Sequence, residues 1–175
     1  MPPIVLPFYW YVYEKDNVPP PETLVKNYLT QDNFKELPNN KIEVDYKNKI
    51  STLNKKSIVA RVLRAYPSLV RDLHFYLLAK ECGYFQEVKY SFIEDFEDGI
   101  DIKVKYKNKW HNVALMQNTA RSLNYYAIKK TRRHPQLKII DIPIDIHACD
   151  KCGDYYLYTK SHIHTLLTEI NKKNK

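Results

Sequence analysis

Glycine is scarce in this sequence: only 3 of its 175 residues are glycines. Phosphate-binding loops of the GxGxxG and GxxxxGKS/T types need closely spaced glycines so that the backbone can approach the phosphate. Neither motif occurs. The nucleotide-binding folds that depend on such loops are therefore excluded.

Cysteines and long apolar runs are also few. The 3 cysteines, Cys82, Cys149 and Cys152, are an odd and small number, which fits a reducing compartment better than a disulfide framework. No apolar run approaches the roughly 18 residues of a membrane-spanning helix. The opening stretch, "MPPIVLPFYWYVYEK", is apolar but lacks the basic leader of a signal peptide. We therefore expect a cytoplasmic protein with no membrane partner.

Positive charge, by contrast, is abundant. The sequence has 28 Lys and Arg residues against 20 Asp and Glu, a formal net charge of +8. This balance indicates a polyanionic partner, such as nucleic acid or an acidic lipid surface. With 44% hydrophobic residues, the chain can bury a core. We expect an N-terminal extension, residues 1–56, packed on a core domain that comprises residues 57–175 and ends in a helix.

The spacing of apolar residues predicts an α/β fold with a mixed β-sheet flanked by helices. Residues 57–83 have helical spacing interrupted by Pro67, which predicts either two helices or one kinked helix. A helix over residues 118–134 precedes the last of four strands, which are predicted at 84–93, 100–106, 110–117 and 137–144. Short turns predict antiparallel pairing among the first three strands, and the helix predicts a parallel crossover to the fourth.

Shorter signals complete this prediction. The acidic segment "EDFEDG", residues 94–99, ends in Asp-Gly, which predicts a hairpin turn. Near the N-terminus we predict a short strand within "PPIVLPFYWYVY", a helix over residues 22–29 and a strand at "KIEVDYK". Near the C-terminus, "YYLYTK" predicts a fifth strand and "SHIHTLLTEINKK" predicts a helix capped by Ser161.

One acid stands in the alternating second strand, "IDIKVKY", where Asp101 shares a face with Lys103 and Lys105. This order of elements, with an Asp at the opening of the second strand, resembles the core of the PD-(D/E)XK nuclease superfamily over residues 68–142. The resemblance implies a restriction-endonuclease-like α-β-β-β-α-β core. It also implies a Mg²⁺ or Mn²⁺ ion, held by Asp101 beside a scissile phosphate, that activates a water for in-line attack.

The family carries (D/E)-x-K on its third strand, and the matching positions here are Gln117 and Thr119. Gln117 offers one neutral oxygen to a metal, whereas Thr119 supplies no positive charge. The family's lysine can instead lie on the following helix, where Lys129 or Lys130 would take its place. The resemblance therefore implies Asp101 and Gln117 as metal ligands, with Lys129 or Lys130 as the catalytic cation.

Each of these acids also has a plainer interpretation. Asp101 can be an exposed strand residue paired with Lys103 or Lys105. The acids within residues 94–99 can form a solvated turn or contribute a second metal oxygen. On the preceding helix, Asp72 and Glu81 can be outlying acids of the site or ion-pair partners of neighbouring cations.

The helix predicted over residues 118–134 has a strongly basic face. At about 100° per residue, one side of it gathers four cations and an aromatic ring: Arg121, Tyr125, Lys129, Arg132 and Arg133. No acid occurs in this interval, so no i,i+4 ion pair neutralises the charge. Such a face suits a phosphate backbone, with the tyrosine available for stacking. The alternative is a solvated surface helix that happens to be basic.

A CxxC motif, Cys149 and Cys152, follows His147. A structural zinc site needs four ligands, and the remaining histidines of this region are His162 and His164. A zinc ribbon would need a second CxxC, which is absent. Two free thiols in a turn are therefore the simpler interpretation, and a zinc site is the alternative.

These observations lead to three hypotheses. The first is a PD-(D/E)XK-like nucleic-acid-binding protein of a bacterial or mobile-element kind, either a metal-dependent endonuclease (a phosphodiester hydrolase) or a relative that has lost cleavage. DNA is the expected partner rather than RNA. The second is a non-catalytic DNA- or RNA-binding protein whose N-terminal segment recruits a protein partner or a second copy of the chain. The third is an interaction module that binds no nucleic acid.

Overall fold

The computed structural model describes residues 1–117, 123, 124, 126, 127, 130, 131, 136–153 and 155–173, and at positions 117, 144 and 146 it describes the backbone. The chain divides into two units, Met1–Val70 and Arg71–Lys175. Both contain helices and strands, so the described chain has the mixed α/β class predicted from the sequence. None of the described helices is both long and apolar enough to cross a membrane.

The first unit contains two short helices and a three-stranded antiparallel sheet. These elements are α1 (Val5–Lys15), α2 (Pro21–Leu29), β1 (Phe34–Leu37), β2 (Lys41–Tyr46) and β3 (Lys49–Asn54). A three-residue loop, residues 38–40, joins β1 to β2, and a two-residue turn joins β2 to β3; their left-handed residues are Asn39, Asn40, Lys47 and Asn48. Asparagine tolerates this conformation, which two-residue hairpin turns require. The predicted helix over residues 22–29 and the strand at "KIEVDYK" are confirmed.

The strand predicted within "PPIVLPFYWYVY" is wrong, because this segment forms α1. Pro7 is tolerated because it lies in the first turn, where backbone N–H groups have no partner within the helix. Val5 and Phe8, which are three residues apart, bury the inner side of α1. The Phe8 ring packs edge-on against Tyr66, with 6.1 Å between the ring centroids.

One long helix, α3 (Lys55–Glu81), covers the segment for which the sequence predicts either two helices or one. It continues through Pro67, so the single-helix alternative is correct. The Tyr66 hydroxyl, one residue before this proline, donates a hydrogen bond of 2.8 Å to the Pro19 carbonyl. A buried phenol therefore fixes the segment before α2 to the middle of α3.

The second unit is built around a four-stranded mixed sheet. Its strands, in spatial order, are β4 (Glu87–Lys89), β5 (Ile102–Tyr106), β6 (Lys109–Gln117) and β7 (Ile139–Ile144). The first three pair antiparallel, whereas β6 and β7 pair parallel. The predicted antiparallel pairs and the parallel crossover are confirmed. What is confirmed of the crossover is the parallel pairing, because the helix predicted over residues 118–134 falls mostly outside the described residues; those described in this interval are helical.

The hairpin turn predicted at residues 94–99 is wrong, because the segment forms a short helix, α4 (Phe92–Asp98). Ser91 caps its start, since the Ser91 Oγ accepts the Glu94 N–H at 3.4 Å. Gly99 ends it with a left-handed φ of 71° and donates its N–H to the Asp95 carbonyl. Asp-Gly therefore marks a helix C-terminus here. Because α4 begins at Phe92, the first strand, predicted at 84–93, is limited to β4.

The C-terminal helix, α5 (Lys160–Lys173), is confirmed and packs with α3 on one face of the sheet. The fully buried part of this core comprises Phe75, Ala79, Ile102, Val104, Val113, Ile142, Ile163, Leu166 and Ile170. The predicted fifth strand exists as β9 (Tyr155–Leu157), but it pairs with β8 (Asp150–Cys152) in a separate ribbon rather than with the main sheet. The residue at the N-cap position of α5 is Thr159 rather than the predicted Ser161.

Candidate functional site

Asp101 is buried immediately before β5, with 5% of its surface exposed. Its backbone N–H donates to the Val113 carbonyl at 2.9 Å, and the Leu115 N–H donates to its Oδ2 atom at 2.5 Å. The carboxylate thus accepts a backbone donor of β6 at the point where β5 begins. The interpretation of Asp101 as an exposed strand residue is wrong.

Asp101 and Gln117 lie at the same edge of the sheet. The parallel strands β6 and β7 end there, with Gln117 paired to Ile144, and the antiparallel β5 begins there. The register pairs Ile102 with Val113, so residue 114 lies opposite Asp101 and Gln117 lies three residues further along. At about 3.3 Å per residue, the two backbones are offset by roughly 10 Å along the strands. The fold brings both positions to one edge, but not level with each other.

Asp101 belongs to a buried polar environment that includes part of α3. Arg71 is 8% exposed and Tyr158 is 4% exposed. Burial raises the pKa of Tyr158 well above its usual value. The carboxylates of Asp72 and Asp101 raise this pKa further, whereas the Arg71 guanidinium lowers it. All three charged groups therefore lie close enough to act on one phenol. Asp72 and Asp101, which lie in different elements, thus both act electrostatically on Tyr158.

Two of the acids within residues 94–99 have partners of their own. Glu94, on α4, forms an ion pair with Lys103 of β5. The Tyr90 hydroxyl donates to Oδ2 of Asp95 at 3.3 Å. Glu97 is exposed, as the interpretation of these acids as solvated predicts, although the segment is a helix rather than a turn.

The described residues can be compared with the donor set that Mg²⁺ or Mn²⁺ requires. Such ions prefer several hard oxygen ligands, with carboxylates supplying negative charge. Asp101 already accepts a backbone N–H through one oxygen, and Gln117 is neutral. In the part of the chain that the structure describes, no group of three or more His, Cys, Asp or Glu side chains is arranged to hold a metal. These residues alone do not fit a Mg²⁺ or Mn²⁺ centre.

The predicted basic helix face lies largely outside the described residues. Thr119 and the five residues proposed to contact nucleic acid, Arg121, Tyr125, Lys129, Arg132 and Arg133, are all outside them. Lys130, the alternative catalytic cation, is described as helical and exposed. The basic face of this helix therefore stays a prediction.

Two of the candidate zinc ligands, Cys149 and His162, lie together beside the ribbon. The Sγ atom of Cys149 is 3.9 Å from Nε2 of His162, and the Cys149 thiol donates to the Asp145 carbonyl at 3.6 Å. The Thr159 N–H donates to Nδ1 of His162 at 3.0 Å. Because Nδ1 accepts this bond, the neutral imidazole carries its proton on Nε2, on the side of Cys149.

This pair is held in its uncharged form. Burial lowers the pKa of His162 and raises the pKa of Cys149, the latter only partly offset by Arg71. A nucleophilic cysteine needs the opposite shifts, a thiolate beside an imidazolium. The geometry therefore suits a structural contact rather than catalysis. Of the other zinc ligands considered, Cys152, His147 and His164 are exposed.

A hydrogen bond at the start of α5 explains how His162 is positioned. His162 is the third residue of α5, and its ring accepts the N–H of the N-cap residue Thr159. Glutamate or glutamine usually makes this capping-box contact at that position. The sequence signal is a threonine followed three residues later by a side chain with an acceptor, and a histidine in that role is easily missed.

Comparison with known proteins identified no relative: no protein-family model, curated protein or solved structure matches the chain.

Proposed function

We propose that this chain is a nucleic-acid-binding protein built on a PD-(D/E)XK nuclease-like core. The observation that carries the proposal is the sheet of the second unit. Three antiparallel strands are followed by a segment with helical residues and a fourth, parallel strand, and Asp101 opens the second of these strands. Apart from the short helix α4 inserted between the first two strands, this order is similar to the α-β-β-β-α-β core that the resemblance implies, and it supports the proposal.

The charge of the chain supports a nucleic-acid partner. The formal net charge is +8, and the segment 103–110 alternates lysines with other residues along the hairpin of β5 and β6. Phosphate contacts by lysine and arginine supply most of the sequence-independent affinity for nucleic acids. We propose DNA as the preferred partner and the cytoplasm as the location, the latter because all three cysteines are free thiols.

Binding without cleavage is the form of this function that we favour. In a metal-dependent endonuclease, Asp101 would have to share its carboxylate between the ion and the Leu115 N–H. The neutral Gln117 would then replace the second acid. The endonuclease alternative therefore requires a metal bound with less negative charge than the family arrangement provides.

One assay separates the two forms. Anisotropy of labelled duplex and single-stranded DNA measures binding, and conversion of supercoiled plasmid in Mg²⁺ or Mn²⁺ measures nicking. The variant Asp101→Asn retains an acceptor oxygen, and Asp32→Asn, at an exposed position, is its matched control. Binding without metal-dependent nicking supports the favoured form, and nicking that only Asp101→Asn abolishes supports the endonuclease. Absence of binding at low salt contradicts the proposal.

A protein partner or a second copy of the chain is a second candidate, favoured by the outer side of α1. Trp10 and Tyr13 are 65% and 89% exposed there, which is unusual for large aromatic side chains. Light scattering at increasing concentration tests self-association. Loss of association in Trp10→Ser with Tyr13→Ser supports this surface, and a monomer at all concentrations argues against self-association.

A further inference from the structure

The strands β4, β5 and β6 present a second basic surface, which we call the lysine–tryptophan face: Lys89, Lys103, Lys105 and Trp110. Pairing brings these residues together from three adjacent strands. In the strand register, Lys89 of β4 lies opposite Lys103 of β5, and Lys105 of β5 lies opposite Trp110 of β6. Residues in register across a sheet point to the same side, so all four share one face.

Side-chain contacts confirm this placement. The Lys89 Nζ lies 4.7 Å from the centroid of the Trp110 ring, within cation–π range. The ring therefore contacts a lysine from β4, across the intervening strand β5, and Trp110 keeps 40% of its surface exposed. The exposed part of the indole is available to a planar ligand.

The charge of the face is positive after its ion pairs are counted. Lys89 pairs with Glu87 at 2.9 Å, and Lys103 pairs with Glu94. Lys105 forms no ion pair with any residue that the structure describes. Lys107 and Lys109 are exposed at the adjoining turn. Unpaired cations thus lie directly beside the exposed ring.

We propose that the lysine–tryptophan face binds single-stranded nucleic acid, with a base stacked on Trp110 and the flanking phosphates contacting Lys105 and the lysines of the adjoining turn. Aromatic side chains set among cations are the usual means of holding unpaired bases. A duplex keeps its bases stacked on one another and leaves the ring without this contact. The inference rests on the proposed function and names the form of nucleic acid and the surface that holds it.

Lys105 and Trp110, which make the proposed contacts, lie away from Asp101, whereas Lys103 is two residues from it. Lys105 lies four residues after Asp101 in the sequence, which corresponds to about 13 Å along an extended strand. Substitutions at Lys105 and Trp110 therefore leave the Leu115–Asp101 contact in place. The two surfaces can be tested separately.

The fluorescence of Trp110 gives a direct readout. The chain has 2 tryptophans, so Trp10→Phe leaves Trp110 as the only one. Oligo(dT), oligo(U), a duplex and heparin are titrated into this variant at low salt. Stacking predicts strong quenching by both single strands and little by heparin, which carries charge but no bases. The variant Trp110→Ala is expected to bind oligo(dT) about tenfold more weakly, and Lys105→Ala more weakly than its charge-matched control Lys35→Ala.

The outcomes separate this inference from the proposed function. If anisotropy shows oligo(dT) binding while Trp110 emission stays unchanged and Trp110→Ala binds like its parent, the inference is overturned and the nucleic-acid-binding function stands. Equal quenching by heparin or by the duplex also overturns it. Absence of binding to any nucleic acid overturns both. Circular dichroism of each variant identifies any loss of fold, and Trp110→Phe, which retains an aromatic ring, is expected to restore most of the affinity.

Discussion

The backbone N–H of Leu115 donates a 2.5 Å hydrogen bond to the Oδ2 atom of Asp101. This contact joins the residue before β5 to the last part of β6, next to the parallel pair that β6 makes with β7. A buried carboxylate with a backbone donor is strongly stabilising, and losing it leaves that donor without its partner. Asp101 therefore has a structural role whether or not it also contacts a ligand.

Removing this acceptor should destabilise the fold. We expect Asp101→Ala to lower the free energy of unfolding by about 2 kcal/mol, and Asp101→Asn by less because its amide oxygen can still accept. Urea denaturation followed by circular dichroism measures both. The exposed Asp32→Ala serves as the control and should change little. Equal stability of Asp101→Ala and the control would show that the carboxylate is dispensable for folding.

The glycine that ends α4 should be hard to replace. Gly99 has a left-handed φ of 71°, which an L side chain adopts at a cost of roughly 1 kcal/mol. We expect Gly99→Ala to lower the free energy of unfolding by about that amount in the same urea assay. Gly99→Asn should cost less, because asparagine tolerates this region better. An alanine variant as stable as the parent would mean that α4 ends differently in solution.

Folding stability should fall as the solution becomes mildly acidic. Burial lowers the pKa values of His74, His111 and His162 below the ordinary histidine value of 6.5. The unfolded chain therefore binds protons at a pH where the folded chain does not, so the stabilisation is complete above about pH 6.5 and is lost progressively below it. Denaturation midpoints measured from neutral pH down to about pH 5 test the direction.

The contribution of His162 can be isolated by substitution. In His162→Gln the side chain can still accept the Thr159 N–H, as in an ordinary capping box, but no longer titrates. We expect a weaker dependence of stability on pH than in the parent, and an unchanged dependence in His147→Gln at an exposed position. Identical pH profiles for the parent and His162→Gln would show that His162 titrates normally in the folded chain.

The cysteines should differ in reactivity. Burial raises the pKa of Cys149, whereas Cys152 is exposed on β8. Because the thiolate is the reactive form, Cys149 should react slowly with a disulfide reagent at neutral pH. We expect the fast phase of thiol modification to disappear in Cys152→Ser and to persist in Cys149→Ser. A fast phase lost only in Cys149→Ser would mean that the Cys149–His162 pair is an activated one.

Much of the second unit can be predicted because its signals are local. Alternating residues and the short Lys107–Asn108 turn predict the hairpin of β5 and β6, and the helical segment before β7 predicts the parallel pair. The errors at α1 and α4 also have local causes. Pro7 is compatible with a helix only in the first turn, and Asp-Gly is typical both of hairpin turns and of helix ends.

The site was harder to predict because its contacts are distant in sequence. Nothing in "IDIKVKY" distinguishes an exposed Asp101 from one that accepts a hydrogen bond from Leu115, since the difference lies in how β6 pairs. Cys149 and His162 likewise meet only because the ribbon and α5 fold together. The lysine–tryptophan face depends on strand register, which links Lys89 to Trp110 across β5.

The central claim, that this basic chain binds nucleic acid through phosphate contacts, is tested most directly by a salt titration. The affinity for labelled oligo(dT) is measured by anisotropy as the salt concentration rises. If lysines contact the phosphates, the logarithm of the association constant should fall linearly with the logarithm of the salt concentration. The slope should be shallower in Lys105→Ala than in Lys35→Ala. Undetectable binding at low salt, or an affinity that does not change with salt, would contradict it.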